Sequence, residues 1–331
     1  MPDEPFAGWV PPRYEVSTEG KVSTGRPGSP NNWGRWGADD QIGTANLSDE
    51  AAVQAAAALV RSGKRFSLAV PIGMQVPSFR PPPLHLFSAV AADGVVGDSA
   101  EDRRAEPRGI SSFSDDWLVI ALQYTTQMDG FGLASEDTLY NGYWAGLVTA
   151  RSGARRLGIP HRARGVVGRG VLLDVARHMD VPVLQHQYRI SAELLTATAD
   201  AQGVDIRPAD IVLIRTGYLA EWLGLDGQLA VDMAPGVSAS AIEWAHTRDI
   251  MMICADTPAI EVTGSVEEGM RPSEFHIRAL RDLGLQLGEL FYLEELANDC
   301  DQDGIYEMFV LAAPLPVIGG AGSPINPIAI K

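Results

Sequence analysis

The chain has 331 residues, 46% of them hydrophobic, with a formal net charge of −16 at pH 7 and a pI near 4.7. That size supplies a sizeable core, and an acidic chain with no run of Lys and Arg repels polyanions, which argues against a nucleic-acid partner. Nothing approaches the roughly 20 apolar residues that span a bilayer, so no membrane partner is expected.

The N-terminus, MPDEPFAGWVPP, carries acids and prolines where a secretory signal needs basic and then apolar residues, so a cytoplasmic location is expected. Residues 1–35 mix Pro, Gly, Ser and charge with isolated aromatics (Phe6, Trp9, Tyr14) and read as an extended N-terminal arm, of the kind that crosses to another subunit. SDEAAVQAAAALVRSGK predicts the first helix, with Ser48 as cap, Asp49 and Glu50 at the positive end, and Val53, Ala57 and Val60 on one face before Gly63 stops it. FSLAVPIG reads as a strand. Residues 72–114, with PPP, Arg80 and His85, read as a lid or insertion on a single domain spanning 36–331.

Short apolar runs predict strands at 117–124, 171–175, 210–215 and 250–255. Helices are expected over SAELLTATADAQG, from a Ser191 cap to a Gly203 stop, over SASAIEWAHTRD from near Ser238, and over SEFHIRALRDLG at 273–284. The fold class is α/β, with no repeat and no dividing linker. Cys254 and Cys300 are too few for a disulfide scaffold or a thiolate zinc cluster and read as buried thiols.

GVVGRG at 165–170 has the look of a dinucleotide fingerprint, but it precedes a strand instead of following one and reads as a turn. The prolines of GGAGSPINP forbid the helix that a phosphate loop would need. Among six histidines, only His276 has an acid, Glu289, across a glycine-containing turn, in FHIRALRDLGLQLGE.

The segments WGADDQIGTANLSDEAAVQAAAALVRSGKRFSLAVPIG, DTLYNG, GVVGRGVLLDVAR, RPADIVLIRTG, APGVSASAIEW, ADTPAIEV, FHIRALRDLGLQLGELFYLEELANDC and PLPVIGGAGSPINPIAI together resemble the cyclase family of metal-dependent hydrolases. Kynurenine formamidases, isatin hydrolases and trans-dienelactone hydrolases belong to it. The resemblance implies a swivelling β/β/α fold, a barrel-like sheet wrapped by helices, assembled as a homodimer or higher homo-oligomer. The family signature, His-x-Gly-Thr-His-x-Asp-x-x-x-His, falls on QYTTQMDGFGL. Its two metal-binding histidines land on Gln123 and Gln127, its Asp on Asp129, and its last His, an acid/base group in relatives, on Leu133. The family's further His and Glu land on His276 and Glu289.

Amide oxygens are far weaker donors to zinc or manganese than imidazole, and Leu133 can neither bind metal nor carry a proton. The expectation is no cofactor, with a residual divalent cation on Asp129, His276, Glu289 and a Gln as the lesser reading. Asp129, His276 and Glu289 are the expected catalytic set. Gln123, Thr125, Gln127, Leu133 and Tyr140 are expected to bind a small-molecule substrate. The expected function is opening or closing a ring in a small ester, amide or polyketide-like metabolite by metal-independent acid/base chemistry. The alternatives are a metal-dependent amide or lactone hydrolase with an altered ligand set, and a catalytically silent binding protein.

Overall fold

A computed structural model describes residues 15–23, 27–89, 115–133, 137–225 and 230–331. In chain order the strands that organise it are β1 (Arg65–Ser67), β2 (Leu84–Ala89), β3 (Asp115–Val119), β4 (Gln127–Asp129), β5 (Val166–Asp174), β6 (Ile211–Arg215), β7 (Met252–Ala255), β8 (Gln286–Glu289), β9 (Glu307–Ala312), β10 (Gly322–Pro324) and β11 (Ile328–Ile330). All but β2 and β3 join one curled nine-stranded sheet in the order β1-β11-β9-β5-β6-β7-β8-β4-β10. The central strands β5 to β8 are parallel, and the strands outside them pair antiparallel.

The central strands show no polar alternation because both faces of the sheet are covered. Val171, Leu173, Val212, Ile214 and Ile253 face a core shared with Leu195, Ala199, Ile242 and Trp244 from the helices α2 (Ala192–Gln202) and α4 (Ala241–Thr247), which follow α1 (Glu50–Ala57) and flank α3 (Tyr218–Gly224). Leu172, Ile211, Leu213, Met252 and Cys254 point the other way, onto Leu296, Ala297 and Cys300. α2 has the ends its sequence predicts: Ser191 accepts from the Leu194 N–H, and Gly203 closes it at φ 66°. Cys254 and Cys300 are buried free thiols.

Several expectations are corrected. The first helix is capped by Asp49, which accepts from the Ala52 N–H at 2.8 Å, because the Ser48 hydroxyl is already bonded to Val167 of β5. The helix ends at Ala57. Its inward side runs through Val53, Ala56 and Leu59, leaving Ala57 and Val60 exposed. GVVGRG is no turn, since β5 begins at Val166. Its glycines admit neighbours: a Cβ on Gly170 would lie 2.3 Å from Val310 Cγ2, and one on Gly168 2.8 Å from Met251 Cε. Only residues 65–67 of the FSLAVPIG segment and its flank pair as a strand, and α4 starts at Ala241 rather than near Ser238.

The strand expected at 117–124 is β3, which ends at Val119 and forms with β2 an exposed ribbon outside the main sheet. The lid expectation falls partly outside the described residues, at 90–114, as does the arm at 1–14 and 24–26. The described end of the arm lies on its own chain. Trp33 Nε1 donates to Arg281 O at 2.7 Å, and Asn32 Nδ2 to Leu283 O at 2.9 Å. The helix expected over 273–284 is α5 (Glu274–Ile277) continued by a π-helical turn, Arg278–Leu283, and closed by Gly284 at φ 58°. Ser273 does not cap it. The carboxylate of Glu261 accepts from the N–H groups of Phe275 and His276 instead, both at 3.2 Å.

Candidate active site

The antiparallel register of β4 on β8 sets Gln127 opposite Glu289 and Met128 opposite Gly288. Directly opposed residues share a face, and so do residues two apart on one strand. Register alone therefore gathers Gln127, Asp129 and Glu289 on one side of the sheet. The Gln127 amide donates to the Glu289 carboxylate. α5 then delivers His276 onto this patch. Its Nε2 stands 3.0 Å from Asp129 Oδ2 and 3.8 Å from Glu289 Oε1, and its Nδ1 lies 3.6 Å from Glu261 Oε1. All three expected catalytic side chains are buried, with Asp129 at 0% exposure.

The electrostatics follow from burial among charges. Burial pushes the Glu289 carboxyl up, the neighbouring Asp129 charge adds to it, and together they carry it to about 8 against the pull of His276. Burial alone would lower His276, but its hydrogen bond to the Asp129 carboxylate and the negative surroundings of Glu289, Asp129 and Glu261 raise it to about 9. Burial and the neighbouring charges thus favour the protonated form of Glu289, and the acids around His276 favour the protonated imidazole.

His276, Glu289, Gln127 and Glu261 line a cavity of about 270 Å³, while Asp129 is fully buried behind His276. Pro77, Phe79, Leu133 and Pro258 give it apolar walls; Gln123, Gln127 and Glu261 add polar groups, and Arg80 stands among its lining residues. Gly322 leaves room for Gln123, because a Cβ there would lie 2.5 Å from its Nε2. Gln127 Oε1 and Asp129 Oδ1 are buried acceptors without a partner among the described residues. A donor on a bound ligand would satisfy them.

The structure brings Asp129, His276 and Glu289 together and places Gln123, Gln127 and Leu133 on the cavity wall. Two expected residues stand elsewhere. Thr125 lines a separate, larger groove of about 550 Å³ with no titratable group in its wall, and its hydroxyl donates to Val70 O. Tyr140 is buried away from the cavity, its hydroxyl donating to Asp40 Oδ2 at 3.0 Å and its ring filling the space a Cβ on Gly284 would need. His85 is paired with Asp116 on the exposed ribbon. Sequence reasoning missed Glu261. It sits in the ADTPAIEV segment quoted for the family resemblance, but no spacing tied it to His276.

The resemblance implies a divalent metal held largely by imidazole. One ligand atom each from Asp129, His276 and Glu289 lie within 4.8 Å of one another, and the two orphan oxygens would suit a hard cation. The set nonetheless offers a single imidazole, whose Nε2 is hydrogen-bonded to Asp129, and the remaining signature positions supply two amides and an alkyl group. It lacks the further imidazoles of the zinc or manganese centre that the resemblance implies.

The sheet order, the helices around it and the cluster on the β4–β8 pair define a cyclase-type α/β protein. The sequence profile of the family described as "Putative cyclase" matches residues 66–262, and the chain belongs to that family. Among solved structures it is similar to one described as a novel cyclase, with 37% identity over 91% of this chain and 99% of that chain and a TM-score of 0.81. An isatin hydrolase bound to the product analogue thioisatinate is 16% identical over 80% of this chain and 91% of that one, with a TM-score of 0.54. Isatin hydrolase A from Ralstonia solanacearum is 16% identical over 81% and 92%, with a TM-score of 0.55. At that identity these two show a shared fold. No curated protein matches the chain.

Proposed function

We propose that this cyclase-family protein is an enzyme that opens or closes a ring in a small ester, amide or polyketide-like metabolite by acid/base catalysis without a metal. The observation that carries the reading is the buried cluster at the cavity wall, where His276 Nε2 lies 3.0 Å from Asp129 Oδ2 and 3.8 Å from Glu289 Oε1, in surroundings that favour the protonated form of Glu289. Glu289 is the general acid, donating to the ring atom that leaves. The His276 imidazolium, fixed by Asp129, offsets the negative charge that develops on the carbonyl oxygen. Gln127 orients Glu289. Gln123 presents its amide to the ligand in the place a metal-binding imidazole holds in relatives. Apolar walls and buried acceptors favour a ring-bearing substrate with at least one N–H or O–H donor.

The test is turnover of two ring probes, dihydrocoumarin as a lactone and isatin as a cyclic amide, by protein exhaustively treated with chelator. His276→Gln and Glu289→Gln should each lower turnover by about 100-fold or more. Undiminished turnover in both variants would sink the acid/base assignment. Probe binding without turnover would favour the silent binding protein.

A further inference from the structure

We infer that Glu261 is the general base of this site, working opposite the acid Glu289 on the same substrate. The inference rests on the acid/base reading above and adds the partner that reading lacks. Leu133, which lines the same cavity, carries no proton. That reading casts Glu289 and His276 as donors, so a proton acceptor has to come from elsewhere in the cavity wall.

Glu261 meets the requirement by geometry. Its carboxylate lines the same cavity as Glu289 and Gln123, and its side chain keeps 15% exposure where that of Asp129 has none. It flanks the imidazole from the Nδ1 side at 3.6 Å, whereas Asp129 and Glu289 flank Nε2, so donor and acceptor stand on opposite sides of one ring. Its backbone is fixed too. Gly236 packs so closely that a Cβ there would lie 2.3 Å from the Glu261 carbonyl carbon, and the N–H groups of Phe275 and His276 aim the carboxylate. Those two bonds leave lone pairs for a substrate proton. Burial, opposed by His276, raises the Glu261 carboxyl above its ordinary value, which makes it a better base than a solvated glutamate.

For ring opening, a water oxygen bonds to the ring carbonyl carbon as Glu261 takes one of the water protons. The ring C–O or C–N bond breaks as Glu289 gives its proton to the departing oxygen or nitrogen, leaving a carboxylic acid and an alcohol or amine. Water refilling the cavity then carries the proton from Glu261 to Glu289, and both return to their starting states. Ring closure is the same path reversed.

Glu261→Gln keeps an acceptor for one of the two α5 N–H groups and removes the base. With dihydrocoumarin and isatin as probes, it should lower kcat about 100-fold, leave KM within about twofold, and leave the thermal midpoint within a few degrees. Glu261→Ala should be equally slow and should regain at least about tenfold when formate is added to supply the missing carboxylate. A purely structural Glu261 would give a variant that formate does not rescue. Full kcat in Glu261→Gln, or no rescue in Glu261→Ala, overturns the inference. Loss in Glu289→Gln with retention in Glu261→Gln fails the base alone, whereas no turnover of either probe by the parent protein fails the acid/base reading and this inference together.

Discussion

His276 Nε2 lies 3.0 Å from Asp129 Oδ2 across 147 positions of chain, and this contact joins the α5 helix to strand β4 of the sheet. It fixes both the orientation and the charge of the imidazole. Asp129→Asn keeps the shape and removes the charge, so turnover of the ring probes should fall by about 100-fold while the far-ultraviolet circular dichroism stays unchanged. Full activity in that variant would mean that the imidazolium has no part in the reaction.

The pH dependence of stability follows from the same contact. The folded-state value of His276 is raised to about 9, against about 6.5 in an unfolded chain. Its contribution is therefore complete below pH about 6.5 and is lost as pH rises through 9, a change on the order of 3 kcal/mol. Glu289, also raised, acts in the same direction, its part fading from its ordinary value of 4.5 up to about 8. Denaturant midpoints should fall steadily between pH 6.5 and about 9, and His276→Gln should flatten the upper part of that slope. Turnover should fall as Glu289 loses its proton near pH 8.

Two glycines separate folding from function. Gly170→Ala drives a methyl toward Val310 Cγ2 at 2.3 Å in the sheet interior and should cost about 1–3 kcal/mol in urea unfolding. Gly322→Ala pushes instead on the Gln123 amide, at 2.5 Å from its Nε2. It should lower probe turnover about tenfold through displaced Gln123, with a thermal midpoint within a few degrees of the parent. A Gly322→Ala protein of full activity would remove Gln123 from the site.

Much of this was legible in the sequence, for physical reasons that differ by element. Ser191 and Gly203 bounded α2 because cap and stop are local chemistry. The parallel strands stood out because a run such as IVLIR has no polar face to hide. The GVVGRG run misled because glycine marks turns and close approaches alike, and only Val310 and Met251, far along the chain, reveal which applies. Likewise Thr125 and Gln127 differ by two residues, yet the chain bends out of strand between Val119 and Gln127, so parity gave no guide to Thr125. Glu261 was hidden because its link to His276 is through backbone N–H groups, which no side-chain pattern records.

Restoring the signature should restore metal affinity. Gln123→His, Gln127→His and Leu133→His together, on a scaffold where Asp129 is in place, should create tight zinc or manganese binding by calorimetry, with little gain from any single change. If the triple variant keeps the parent's thermal transition in chelator yet binds metal no better, then 123–133 does not overlie the family's metal site.

The most direct measurement of the central claim is kcat on the ring probes for one preparation divided in three: as purified, chelator-stripped, and stripped then supplied with zinc or manganese. The metal-independent account predicts the same kcat in all three, with far less than one equivalent of either metal in the first by elemental analysis. Near-stoichiometric metal, with activity lost on stripping and restored by the ion, would contradict it and make the protein a metal-dependent hydrolase built on an altered ligand set.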